Sequence, residues 1–402
     1  MATIAANPLS HLVQNMAESA TIKMSQLARE LKEQGHDVIS LSLGEPDFDT
    51  PDHIKEAAKV ALDEGYTKYT PVPGLLELRQ AICTKLKRDN GLEFEPSQVV
   101  VSNGSKQCLA NLCLALLDKG DEAIVFAPYW VSYSAIIEMV GGTVVPVAAG
   151  IEQDFKISAA QLEEAITNKT KLILFSSPCN PTGSVYTRSE LEALAAVIAK
   201  YDDIIVLSDE IYEYINFTGK HASIGAIESM KDRTVTVNGF AKGYAMTGWR
   251  LGYMAGPKWL AGACSKIQGQ FTSGANAFGQ KAAITALLGD MNPTYEMRKA
   301  YLKRRNLMIE LLRGIPGIQV NVPTGAFYLF PNISNYFGKS YGDITINNSI
   351  DFCEFLLYTA HVATVPGEPF GDDNCFRLSY AASEESLREA VRRIKEAVAK
   401  LK

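Results

Sequence analysis

Between residues 98 and 255 short β-branched runs alternate with helix-length stretches, and this feature limits the possible folds more than any other. The runs are 98–102 (QVVVS), 122–126 (EAIVF), 143–147 (TVVPV), 171–176 (KLILFS), 204–208 (IIVLS) and 233–238 (RTVTVN), with a further candidate at 251–255 (LGYMA). Parallel neighbours in a sheet need a crossover of about a dozen residues, and a helix lying over the sheet supplies it. The expectation is an α/β fold whose large domain carries a seven-stranded, mostly parallel sheet.

The flanks read differently. Thr50-Pro51 opens a helix in which Ile54, Ala57, Ala58, Ala61 and Leu62 share one face and Gly65 closes the end. Beyond the sheet come a long helix near 293–313, a strand at 326–330 (AFYLF), a helix near 349–359, strands near 362–365 and 375–380, and a charged helix from Ser383. Without strict alternation these suggest a smaller α+β domain. We expect residues 1–48 to form an N-terminal arm and part of the small domain, 49–290 the large domain, and 291–402 the rest of the small one. A chain of 402 residues is about 2.7 times the usual single-domain length, which fits two domains.

Composition narrows the function. Lys+Arg 39 against Asp+Glu 45 leaves a net charge of −6 with no block of like charge, so neither nucleic acid nor an anionic membrane is an expected partner. Seven cysteines, odd in number and never spaced C-x-x-C, suggest reduced thiols and no zinc site. The first basic residue is Lys23 and no apolar run approaches a membrane span, so the expected location is the cytoplasm and no metal is expected.

In open α/β sheets ligands sit beyond the carboxyl ends of the strands. Run 98–102 leads to Asn103-Gly104-Ser105-Lys106 at a helix start, which suits a phosphate. Run 122–126 leads to Tyr129-Trp130, 171–176 to Asn180-Pro181-Thr182-Gly183, 204–208 to Asp209-Glu210-Ile211-Tyr212, and 233–238 to Lys242 and then Arg250. Nucleotide motifs fail: Gly338-Lys339-Ser340 imitates the end of a P-loop, but Ile333 stands where its first glycine belongs. A phosphate cradle with one lysine, a carboxylate and a stacking ring suits a phosphorylated aromatic aldehyde, which is pyridoxal 5'-phosphate.

The stretch Asn238 to Tyr253 (NGFAKGYAMTGWRLGY) resembles the lysine motif of class I pyridoxal-phosphate-dependent aminotransferases. The resemblance extends over nearly the whole chain, through Gly44-Glu45-Pro46-Asp47, Lys68-Tyr69-Thr70-Pro71, Asn180-Pro181-Thr182-Gly183, Asp209-Glu210-Ile211-Tyr212 and Arg377-Leu378-Ser379-Tyr380. The branch it looks most like is the shorter bacterial aspartate aminotransferases, some of which also accept prephenate.

The resemblance implies a role for each matching residue. Lys242 would hold the cofactor as a Schiff base and then carry the proton at Cα. Asp209 would pair with the pyridine nitrogen, Tyr212 and Asn180 would donate to the phenolic oxygen, and Trp130 would stack on the ring. Gly104, Ser105, Lys106 and Arg250 would hold the phosphate, joined by Tyr69 from a neighbouring subunit, so a homodimer with shared sites is implied. Arg377 would grip the substrate α-carboxylate with Gly44 closing over it, while Trp130, Asn180 and Thr21 would complete the substrate site.

The implied reaction moves the amino group of L-aspartate to 2-oxoglutarate by a ping-pong mechanism. Two departures matter: Ala241 stands where the family often has serine, so one possible phosphate hydroxyl is missing, and Met16–Thr21 lacks the lysine that helps some relatives bind substrate. For the distal carboxylate the candidates are Thr21, Ser19, Lys106, and Thr272 or Ser273 from the partner. Alternatives are a preference for prephenate, arogenate or aromatic amino acids, and a pyridoxal-phosphate lyase of the aminocyclopropane-carboxylate synthase kind.

Overall fold

The computed structural model describes residues 9–16 and 20–402. The chain opens with α1 (His11–Asn15), α2 (Ala20–Glu33) and β1 (Ile39–Ser40), then α3 (Asp52–Asp63) and α4 (Leu76–Lys85), which continues as a wider turn over Leu86–Asn90. Ile54, Ala58 and Ala61 form the buried stripe of α3, but Leu62 is 45% exposed, contrary to the sequence expectation. At about 100° per residue Leu62 lies some 80° from Ile54, at the margin of the stripe. Gly65, at φ +84°, closes the helix as expected: its N–H reaches Leu62 O, and that of Tyr66 reaches Ala61 O.

The seven sheet strands are β2 (Val99–Ser102), β3 (Glu122–Ala127), β4 (Thr143–Ala148), β5 (Thr170–Ser176), β6 (Ile205–Asp209), β7 (Thr234–Gly239) and β8 (Gly252–Ala255). They lie in the order β2-β8-β7-β6-β5-β3-β4, parallel throughout except for β8, which runs antiparallel to both neighbours. Val99 and Val101 pack with Ile54, Leu78 and Ile82 on one face, while Val100 packs with Leu109 and Leu112 on the other. Burial on both faces explains why the central strands read as unbroken apolar runs. Pro146 lies in β4, the edge strand, where a missing N–H is tolerated.

A further core joins Met24, Ala28 and Leu31 of α2 to the helices Asn292–Arg313, Ser349–Ala360 and Glu384–Val398. It includes a three-stranded antiparallel sheet in the order Val365–Pro366, Phe376–Ser379, Tyr328–Leu329. The strand expected at 362–365 is two strands: Val362–Ala363 pairs in parallel with β1, and Val365–Pro366 turns to pair with Phe376–Arg377. Two partners on different sides divide what the sequence shows as one run. The last helix begins where expected, with the Ser383 hydroxyl accepting from the Ser386 N–H.

Candidate active site

Because β2, β3, β5, β6 and β7 are parallel, their carboxyl ends meet at one edge, and the reversed β8 begins there. Lys242 follows β7 and Arg250 precedes β8, so one hairpin brings both to the edge. α5 (Ser105–Leu116) starts directly after β2, and α6 (Ser132–Met139) follows β3. Gly104 takes φ +87°, and a Cβ there would sit 2.5 Å from Arg250 Nη2. Gly252 has no room for one either, since it would strike the Ser105 backbone nitrogen. These two glycines let the helix start, its free N–H groups and the guanidinium close around one spot, an arrangement made for an anion.

Asp209 ends β6 and is 4% exposed. Its Oδ2 accepts from Tyr133 OH at 2.7 Å and its Oδ1 from Ile211 N–H at 3.2 Å. Burial raises its pKa to about 6, because none of these partners is a cation and Lys242 offsets only part of the cost. Lys242 donates to Gly44 O and lies 5.7 Å from the Tyr212 ring centre. Burial, then the charge of Arg377, lowers its pKa to about 8, which leaves a substantial neutral amine fraction near pH 7.5.

Arg377, 1% exposed, is the largest side chain fully buried in the protein. Its Nη1 donates to Asn180 Oδ1 at 3.0 Å and its Nη2 to Ser42 O at 2.7 Å, and Nε has no partner. The ring of Tyr328 lies 4.6 Å from its guanidinium carbon and that of Phe370 5.1 Å. Every partner is neutral. A buried cation held this way leaves its charge for an anion from outside.

Twelve of the site candidates from the sequence line one cleft of about 360 Å³: Thr21, Gly44, Gly104, Ser105, Lys106, Trp130, Asn180, Asp209, Tyr212, Lys242, Arg250 and Arg377. Lys106 Nζ lies 4.9 Å from the Trp130 ring centre, its pKa lowered by burial and by Arg250. Tyr69 is 98% exposed and outside the cleft. Thr272, which accepts from Gln107 Nε2 at 2.7 Å, and Ser273 do not line it either, and Ser19 falls outside the described residues.

Two tyrosines of the cleft escaped the sequence reading. Tyr133 donates to Asp209 and meets Trp130 edge-on at 5.6 Å; its signal was the three-residue spacing from Trp130 into α6. Tyr328 shares a 2.8 Å hydrogen bond with Tyr212 from a strand 116 residues away, which no local pattern shows.

The chain matches a family model described as aminotransferase class I and II over residues 36–394. It is 46% identical over 396 residues to an aspartate aminotransferase of Pinus pinaster, covering 97% of this chain and 80% of the relative. It is 47% identical to an aspartate/prephenate aminotransferase of Cereibacter sphaeroides, covering 96% of this chain and 97% of the relative. Among solved structures it resembles the aspartate aminotransferase of Rhizobium meliloti, with TM-score 0.95, 40% identity and coverage of 99% and 100%. The Thermus thermophilus aspartate aminotransferase with maleate gives TM-score 0.92 at 42% identity, covering 98% of this chain and 100% of that one.

Proposed function

The chain belongs to the class I and II aminotransferases, and from that premise we propose that it transfers the amino group of L-aspartate to 2-oxoglutarate with pyridoxal phosphate. One observation carries the reading: the buried Arg377 guanidinium, whose hydrogen-bond partners are all neutral, and the Lys242 amine share a cleft with the buried Asp209 carboxylate.

The residues fit the cofactor. Asp209, buried without a cation, suits a protonated pyridine nitrogen. The start of α5, Gly104, Ser105 and Arg250 suit the phosphate, Trp130 the ring face, Asn180 and Tyr212 the phenolic oxygen, and Lys242 the aldehyde. When bound, pyridoxal phosphate supplies an electron sink for the pair left when the substrate loses its Cα proton. Asp209 would pair its negative charge with the pyridine nitrogen, and the hydrogen bond from Tyr133 holds the carboxylate in place. Arg377 clamps the α-carboxylate and so aims Cα–H toward the Lys242 amine, which takes and returns the proton. Its lowered pKa suits both directions near neutral pH.

For the distal carboxylate, Lys106 and Thr21 are the sequence candidates that line the cleft, one offering an ammonium and the other a hydroxyl. A four-carbon dicarboxylate, maleate, is the ligand of the similar Thermus thermophilus structure. We read the protein as a cytoplasmic homodimer with Tyr69 reaching the partner's site; its seven unpaired cysteines support that location, and the exposure of Tyr69 supports the pairing. Among the described residues no helix is long and apolar enough to cross a membrane.

An amino-donor panel with 2-oxoglutarate tests the substrate. Aspartate should have the highest kcat/KM, and Thr21→Val should lower it more for aspartate than for an apolar donor. A tenfold or greater preference for alanine, an aromatic donor or arogenate would overturn the assignment. Release of product without formation of an oxoacid would favour a lyase.

A further inference from the structure

Asp209 is the first of three buried carboxylates within five residues, the others being Glu210, 1% exposed, and Glu213, 6% exposed. Left uncompensated, the charges of the two glutamates would push the pKa of Asp209 up further. A second set of buried groups surrounds the two that do not face the cleft. Asn90 Nδ2 donates to Glu210 Oε2 at 2.9 Å and to Glu213 Oε2 at 2.8 Å, so one amide ties the two together. Lys85 donates to Glu213 Oε1 and, at 2.7 Å, to Asn90 Oδ1. His221 Nε2 lies 2.9 Å from Glu210 Oε2, while the hydroxyls of Ser208 and Ser223 donate to Oε1 at 3.0 and 2.5 Å.

The backbone is shaped for this. Lys85 ends α4 and Asn90 ends the wider turn that follows it. Five residues apart in an α-helix would face about 140° away from each other, whereas the wider i→i+5 turn brings them toward one face. Both therefore reach the segment that carries Asp209 and Tyr212, which is also anchored by Glu210 N–H to Val237 O at 2.8 Å. The ligand atoms of Glu210, Glu213 and His221 lie close enough together for a metal, but the Lys85 ammonium already supplies the positive charge at Glu213.

We propose that Lys85, Asn90 and His221 are positioning residues: they neutralise Glu210 and Glu213 so that, of the three adjacent carboxylates, only Asp209 presents its charge to the cofactor. The count closes, two carboxylates against one ammonium and one imidazolium. Burial opposes charge on Glu210, but the charge and hydrogen bond of His221, with Ser223 and Lys85, hold its pKa below the usual value. Burial likewise opposes protonation of His221, and Glu210 and Glu213 outweigh it against the repulsion of Lys85. Asp209 itself faces Tyr133 from α6, Ile211 and Tyr212 from its own segment, Glu210, Cys108, Cys179 and Lys242.

This rests on the reading of Asp209 as the partner of pyridoxal phosphate, and its test separates the two. The dissociation constant of pyridoxal phosphate is measured on the full-length protein from pH 5.5 to 8 for the wild type, His221→Gln, Glu210→Gln and the double variant. His221→Gln leaves Glu210 uncompensated, so Asp209 should take a proton at higher pH and binding at pH 6 should weaken about three- to tenfold. Glu210→Gln removes the repulsion, so binding at pH 6 should tighten about threefold. At pH 8 both should stay within about twofold of wild type, and the double variant should return toward it. A role in folding alone would weaken both variants alike at every pH, and that result, or an unchanged pH dependence, overturns the proposal. Failure of the wild type to bind pyridoxal phosphate would overturn the functional reading and the proposal with it.

Discussion

Arg377 is held in the cleft at a cost to the fold, because a guanidinium 1% exposed has only neutral partners. Its fork suits a carboxylate, and an ammonium cannot reproduce two parallel bonds. Arg377→Lys should therefore lower kcat/KM about 100-fold or more for every amino donor alike; a loss confined to dicarboxylic donors, in steady-state assays of three donors, would assign the arginine to the other carboxylate. Asp209 makes a similar sacrifice. Its pKa rises from 3.8 to about 6 in the folded chain, so its stabilisation is complete below pH 4 and lost as pH rises through 6. In the cofactor-free protein Asp209→Asn should thus raise stability by roughly 2 kcal/mol at pH 7.5 and have little effect near pH 4. Urea unfolding at the two pH values reads this directly. Equal stability of variant and wild type at pH 7.5 would mean that Asp209 is not a strained carboxylate.

At the scale of elements, the junction of β2 and α5 is the part most dependent on one backbone angle. Gly104→Ala places a side chain at φ +87° and 2.5 Å from Arg250 Nη2, so both the helix start and the guanidinium must shift. The expected result is about tenfold weaker binding of pyridoxal phosphate with little change for pyridoxal, which lacks the phosphate. Equal losses for both ligands would place the phosphate elsewhere.

The same scale shows what a sequence can and cannot reveal. Strand β3 is legible to within a residue because burial on both faces makes it an apolar run, and β7 because its buried threonines and valines form a β-branched run. The cleft's main residues are legible because they stand just past such runs. Tyr328 and Lys85 are not, since their partners Tyr212 and Glu213 are 116 and 128 residues away, and a buried lysine looks like any other in a helix. The split of 362–365 was hidden for a related reason, as its two halves answer to different partners. The division of the chain at 48 and 290 stays our proposal.

For the whole molecule, several apolar side chains are left exposed. Tyr69 is 98% exposed, Phe271 69%, Ile22 64% and Leu76 51%. We propose that a second copy covers such surface and takes Tyr69 to its phosphate site. Mixing Lys242→Ala and Tyr69→Phe chains should yield heterodimers with one site free of both substitutions, and activity above either parent. A monomer fully active at assay concentration, by sedimentation, would exclude shared sites. The central claim is that Lys242 holds pyridoxal phosphate in this cleft. The measurement that tests it most directly is borohydride reduction of the yellow holoprotein followed by mass spectrometry of its peptides. The account predicts a single pyridoxyl label, on Lys242; a label on another lysine, or none despite bound cofactor, would contradict it.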